Sequence, residues 1–106
     1  MQGDVIFLQD GHILTVQIRC DVDHHGVREM RERIDAMLTE ARPELLILDF
    51  SQVDFMDSSG LGLILGRVER ATATNTEVQL TGMSNRLKRL VRLSGIERVP
   101  HLSIAK

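Results

Sequence analysis

A carboxylate, two adjacent hydroxyls and a glycine follow one another in Asp57-Ser58-Ser59-Gly60, between Phe55-Met56 and the apolar run Leu61-Gly62-Leu63-Ile64-Leu65-Gly66. This order predicts a helix that begins at the corner. With Asp57 as N-cap, its carboxylate accepts from the backbone N–H of Ser59 or Gly60, and Met56 and Leu61 take the hydrophobic-staple positions. Ser58 then becomes the first helical residue, with its hydroxyl facing solvent. Unpaired N–H groups and the positive end of the helix dipole favour an anion there. A phosphate esterified to a serine at this place would meet a welcoming field. The chemistry implied is a covalent switch rather than an active site. The same spacing also fits a well-capped helix with two incidental serines.

Glycine in a helix costs about 1 kcal/mol against alanine. Gly60, Gly62 and Gly66 therefore imply that access or close packing outweighs helix propensity here. Little side-chain bulk at Gly60 and Gly62 would let another protein approach the backbone. Catalysis by the serines lacks its usual companions. There is no Gly-x-Ser-x-Gly elbow, because the corner reads Asp57-Ser58-Ser59-Gly60-Leu61, and no Gly-rich loop ending in Gly-Lys-Ser/Thr. The chain reads as a kinase substrate, not as an enzyme.

Two other groupings carry charge. Asp23-His24-His25 has metal-ligand residue types, but neighbouring histidines point in different directions, and His12 and His101 are isolated in sequence. The expectation is no metal and no cofactor, with Asp23 capping or preceding a helix whose first turn the histidines cover. Arg86, Lys88, Arg89 and Arg92, with Arg98 just beyond, form a local basic cluster. It suits a solvated helix face or a contact with an acidic protein patch. Direct nucleic-acid binding is not expected without interleaved aromatics or an overall positive charge.

Bulk properties narrow the class. The chain has 106 residues, 42% of them apolar and 26% charged, which suits one domain over residues 1–106. Three Phe and no Trp or Tyr leave no stacking platforms for single-stranded nucleic acid. A net charge of −2 gives no general pull toward polyanions. No apolar run approaches the ~20 residues of a membrane span. The first residues lack a secretory pattern, and Cys20 is the single cysteine, so a reducing cytoplasmic setting is expected.

The elements that must position the corner follow from periodicity. Val5-Ile6-Phe7-Leu8 and Ile13-Leu14-Thr15-Val16-Gln17-Ile18 read as strands joined through Asp10-Gly11, a hairpin signal. Val27, Met30, Ile34, Leu38 and Ala41 form a helical stripe that Pro43 closes. Leu45-Leu46-Ile47-Leu48 reads as a buried strand. The corner's helix then runs to about Thr72, with Leu61, Ile64, Leu65 and Val68 facing inward. Val78-Gln79-Leu80-Thr81 is a fourth strand. Ser84 caps a third helix, in which Leu87, Leu90 and Val91 face inward and Gly95 closes the end. The tail from Arg98 forms a short final strand or lies irregularly. The fold class is α/β, with a mixed sheet of four to five strands and helices packed on it.

Residues 55–67, Phe-Met-Asp-Ser-Ser-Gly-Leu-Gly-Leu-Ile-Leu-Gly-Arg, closely resemble the phosphorylation segment of STAS-domain anti-sigma-factor antagonists, especially those of sporulation. Asp21-Val22-Asp23-His24-His25 matches a second motif of that family, usually opening Glu-Leu-Asp. Leu93-Ser94-Gly95-Ile96 matches a third, and the resemblance covers about residues 4–100. It implies a STAS fold and a bacterial transcription regulator working by partner switching. The partners would be an anti-sigma factor that is also a serine kinase, and a serine phosphatase. Ser58 would be the phosphorylated residue. Asp23 would lie close to it, and Asp23, Met56, Asp57, Ser59, Gly60 and Gly62 would contact the partner. The alternatives are an unphosphorylated STAS scaffold or a small nucleotide-binding enzyme. Family members usually carry a further C-terminal helix, whereas this sequence stops at Lys106; an exposed side of the third helix would then favour homodimers.

Overall fold

Residues 4–105 are described by a computed structural model. Strands β1 (Val5–Asp10) and β2 (Ile13–Ile18) pair antiparallel. Gly11, at φ 60°, supplies the positive φ that a two-residue hairpin turn requires. After β2 the chain alternates: α1 (Val27–Ala41), β3 (Leu45–Asp49), α2 (Ser58–Thr72), β4 (Glu77–Thr81), α3 (Asn85–Ser94), a 3-10 turn (Ile96–Arg98) and β5 (Leu102–Ile104). The sheet order is β1-β2-β3-β4-β5, with parallel pairing from β2 onward. The tail therefore ends in a strand, and the sheet is the mixed one expected.

Strand order follows sequence order, and right-handed crossovers then put every connecting helix on the same face. Burial agrees. Val16, Leu48 and Leu80 lie side by side in register and are fully buried, whereas Thr15, Ile47 and Gln79 in the neighbouring row are only partly covered. The apolar run at residues 45–48 is thus sealed on one side only; its Leu45 and Ile47 belong to the open face.

Helix α1 buries Met30, Ile34 and Leu38, with Val27 and Ala41 packing at the margin. Helix α2 departs from expectation. Its inward residues are Gly60, Leu63, Ile64, Arg67, Val68 and Ala71, while Leu65 is exposed and Leu61 only partly buried. The stripe is rotated because Gly60 and Ala71 permit close packing and Arg67 is drawn inward by Asp35 of α1. Their Nε–Oδ1 separation is 2.8 Å. Arg67 Nη1 has no hydrogen-bond partner, and Nε and Oδ1 are not aligned for a hydrogen bond despite their proximity. Charge holds this pair together. Burial pushes the Arg67 guanidinium below its ordinary pKa, against the opposing pull of Asp35. Arg70 adds Nη2–H donation to Thr39 Oγ1 at 3.1 Å across the same helix interface.

Helix α3 is capped as expected. Ser84 Oγ accepts from Leu87 N–H at 3.2 Å, and Gly95 ends the helix at φ 82°. Ile96 folds back into the core.

Candidate functional site

The segments following β2, β3 and β4 leave the carboxyl ends of parallel strands, the side on which open α/β sheets bind their ligands. Residues 21–25, residues 50–57 and Gly82-Met83-Ser84 belong to these three connections. Backbone and side-chain bonds stitch the first two together. Val22 and Met56 form a parallel bridge; Val22 N–H donates to Phe55 C=O, and Asp57 N–H donates to Val22 C=O, each at 3.1 Å. Asp21 Oδ1 accepts from both Asp54 N–H and Phe55 N–H at 3.1 Å. Two motifs more than thirty residues apart therefore form one surface.

On that surface Asp57 is the N-cap of α2, with extended backbone, and its Oδ1 accepts from Ser59 N–H at 2.7 Å. That N–H bond holds the Asp57 carboxyl below its ordinary pKa, so it is ionised at neutral pH. Ser58 is the first helical residue and is exposed; Ser59 is half-buried. Asp23 is half-buried and precedes α1. Its Oδ1 accepts from His25 N–H at 3.0 Å and Gly26 N–H at 3.4 Å, and its carbonyl accepts from Val27 N–H. Gly26 takes the N-cap position without a side-chain cap. His24 and His25 are exposed, and His24 Nδ1 lies 3.9 Å from Asp57 Oδ2. Among the described residues, no group of three or more His, Cys, Asp or Glu could hold a metal ion.

Two expected contact residues lie beneath the surface instead. Met56 is 3% exposed and Gly60 is buried. A Cβ at Gly60 would sit 2.7 Å from Met56 Sδ and 2.9 Å from Met56 Cβ. Gly60 thus lets the first turn of α2 settle onto Met56, which is left accessible only where it lines the groove beside residues 86–93. Gly62 does face outward, with open space where a Cβ would go.

Sequence reasoning missed three features here. Asp21 looked like generic polarity, yet its carboxylate ties the β2 exit to residues 54–55. Gly82 has φ 69°, and a Cβ there would fall 2.7 Å from both Asp49 Oδ1 and Ser51 N. Cys20 is half-buried beside this region; burial, then the charges of Asp4, Asp21 and Asp23, push its thiol pKa up. Only a glycine directly after a strand could have signalled the Gly82 constraint.

The family model for the STAS domain matches residues 5–105. The chain belongs to the STAS domain family. Among curated relatives, this STAS chain is 33% identical over 84 residues to the anti-sigma F factor antagonist of Lysinibacillus sphaericus, covering 77% of this chain and 72% of the relative. It is 30% identical to the Paenibacillus polymyxa protein of the same name over 87 residues, covering 82% of this chain and 74% of that one. Among solved structures, the Bacillus cell fate determinant SpoIIAA in its phosphorylated form superposes with a TM-score of 0.72 at 25% identity. That match covers 96% of this chain and 91% of the other. The mixed five-stranded sheet with three helices is the STAS fold. Among the described residues, no helix is long and apolar enough to cross a membrane.

Proposed function

We propose that this STAS chain is an anti-sigma factor antagonist that binds an anti-sigma factor with serine kinase activity and lets go when Ser58 is phosphorylated. The observation carrying this reading is the exposure of Ser58 at the first position of α2, on a surface built jointly by the two motif segments. The names of its relatives supply an anti-sigma factor as the partner, and its kinase activity is what the motif resemblance implies.

In the switching step, the kinase transfers the γ-phosphoryl group of ATP to Ser58 Oγ. ADP leaves, and the hydroxyl proton passes to a base on the kinase. The product adds roughly 1.5–2 negative charges and three acceptor oxygens at one point. Free N–H groups at the start of α2 offset part of that charge, so the fold need not rearrange. A partner seated over residue 58 fares differently. It must strip water from a dianion beside Asp57, with Asp23 on the adjoining loop, and an ion buried without a counter-charge costs several kcal/mol. Asp23, Asp57, Ser59 and Gly62 make up the contact rim around Ser58, supported from below by Met56 and Gly60. A serine phosphatase restores the hydroxyl. The cycle runs in the cytoplasm of a bacterium, serves sporulation-type control of a sigma factor, and requires no catalysis by this chain.

The test is direct. The chain is incubated with ATP and the anti-sigma factor kinase of its own genome, and the added mass is located by peptide mass spectrometry. Ser58 should carry it; Ser58→Ala should bind the kinase but resist modification, and Ser58→Asp should bind weakly. Modification elsewhere with Ser58 untouched would overturn the assignment.

A further inference from the structure

Beside the Ser58 corner lies a groove of about 310 Å³ between the segment leading into α2 and the outer side of α3. Phe55, Leu90 and Leu93 wall it, the buried Met56 and Leu87 form its floor, and Arg86 and Arg89 stand at its rim. Phe55 is 49% and Leu93 76% exposed, so two large apolar side chains face water at this groove, Phe55 on the segment that leads into Ser58. Arg89 and Leu93 also border a neighbouring cleft that Lys88 and Arg92 complete.

The cations here are unusual in their surroundings. The chain as a whole has a net charge of −2, yet α3 concentrates four basic residues. Among the described residues, Arg92 pairs weakly with Glu97 at 3.9 Å, while Arg86, Lys88 and Arg89 have no carboxylate within reach. Arg86 also occupies the first turn of α3, which contains no acidic residue. A cation there opposes the helix dipole. The dipole would favour an acid at this position, so Arg86 is not there for the benefit of the helix's electrostatics.

We infer that this groove is a second docking contact for the anti-sigma factor kinase, and that it receives a segment of that partner combining apolar side chains with carboxylates. The inference rests on the proposed function and deepens it. Charge complementarity selects an acidic occupant, and the apolar walls select a protein segment over a phosphate backbone. Continuity places it on the same partner, because Phe55 belongs to the stretch that delivers Asp57 and Ser58. Phe55 and Leu93 supply the apolar anchors; Arg86 and Arg89 fix register and speed encounter.

The test uses the full chain and the purified kinase, with affinity measured by calorimetry across a salt series. Phe55→Ala with Leu93→Ala, and separately Arg86→Glu with Arg89→Glu, should each weaken binding of the unphosphorylated chain by about tenfold or more. The charge reversal should also flatten the salt dependence of association. Arg86→Glu alone should raise the thermal midpoint while weakening binding, which separates docking from misfolding. A photo-crosslinking residue in place of Leu93 should capture a kinase peptide rich in Asp, Glu and apolar residues. Wild-type affinity in both double variants, or capture of a basic peptide, would overturn the inference while leaving the Ser58 switch intact. Failure of the unsubstituted chain to bind the kinase would remove the occupant, overturning both this inference and the proposed function.

Discussion

Gly60 and Gly62 sit two residues apart in α2, yet alanine should act on them in opposite directions. At Gly62 the added methyl group enters open space, so the change gains helix propensity and reduces unfolded-state freedom, for a stabilisation of roughly 0.5–1 kcal/mol. At Gly60 the same propensity gain is available, but the new Cβ would fall 2.7 Å from Met56 Sδ and 2.9 Å from Met56 Cβ. A thioether end can swing away; a Cβ cannot, and Met56 is pinned by its bridge to Val22. Forcing a methyl group into a packed site costs about 1–3 kcal/mol. The net effect at Gly60 is a loss of up to about 2 kcal/mol, and the two variants should differ by roughly 1–3 kcal/mol. In a domain of this size each 1 kcal/mol moves the midpoint by roughly 4–8 °C. Urea and thermal unfolding followed by far-UV circular dichroism measure both variants against the wild type. If Gly60→Ala matches Gly62→Ala in stability, the proposed seating of α2 on Met56 is wrong. Partner binding should show the reverse pattern: Gly62→Ala, although more stable, places bulk on the contact rim and should bind the kinase more weakly.

Asp35→Ala should destabilise the fold by about 3–5 kcal/mol, because it leaves the Arg67 guanidinium buried without its counter-charge. Asp35→Leu combined with Arg67→Met should recover most of that loss in urea unfolding, since neither charge then remains to be compensated. For Asp57 the folded pKa lies below the ordinary carboxylate value, chiefly through the Ser59 N–H bond. The stability it contributes is therefore present above the unfolded pKa and lost as pH falls through the folded one. Unfolding free energies of wild type and Asp57→Asn, compared from pH 7 downward, should converge below about pH 4; a gap that stays constant with pH would contradict this.

Much of this molecule was legible in the sequence because the relevant signals are local. The hairpin at Asp10-Gly11, the helix caps at Asp57 and Ser84 and the Gly95 stop depend on residues within four positions of one another, and each adopts the expected geometry. What escaped was set by tertiary contact. The inward face of α2 is rotated because a glycine and an arginine occupy core positions, and an apolar-only pattern scores neither. Met56 and Gly60 carry the family's motif letters, but the letters do not distinguish a surface contact from the support beneath it; burial does. Likewise Asp21 reads as one polar residue among several until its carboxylate is seen gathering two backbone N–H groups from a segment more than thirty positions away. The α3 cluster was visible as charge, while the groove it rims depends on Phe55 arriving from another part of the chain.

The affinity of the kinase for the chain before and after stoichiometric phosphorylation of Ser58 tests the switch most directly. Several kcal/mol of uncompensated desolvation corresponds to a loss on the order of a hundredfold or more, with far-UV and unfolding behaviour unchanged. Equal affinity for the two forms would contradict the proposed switch.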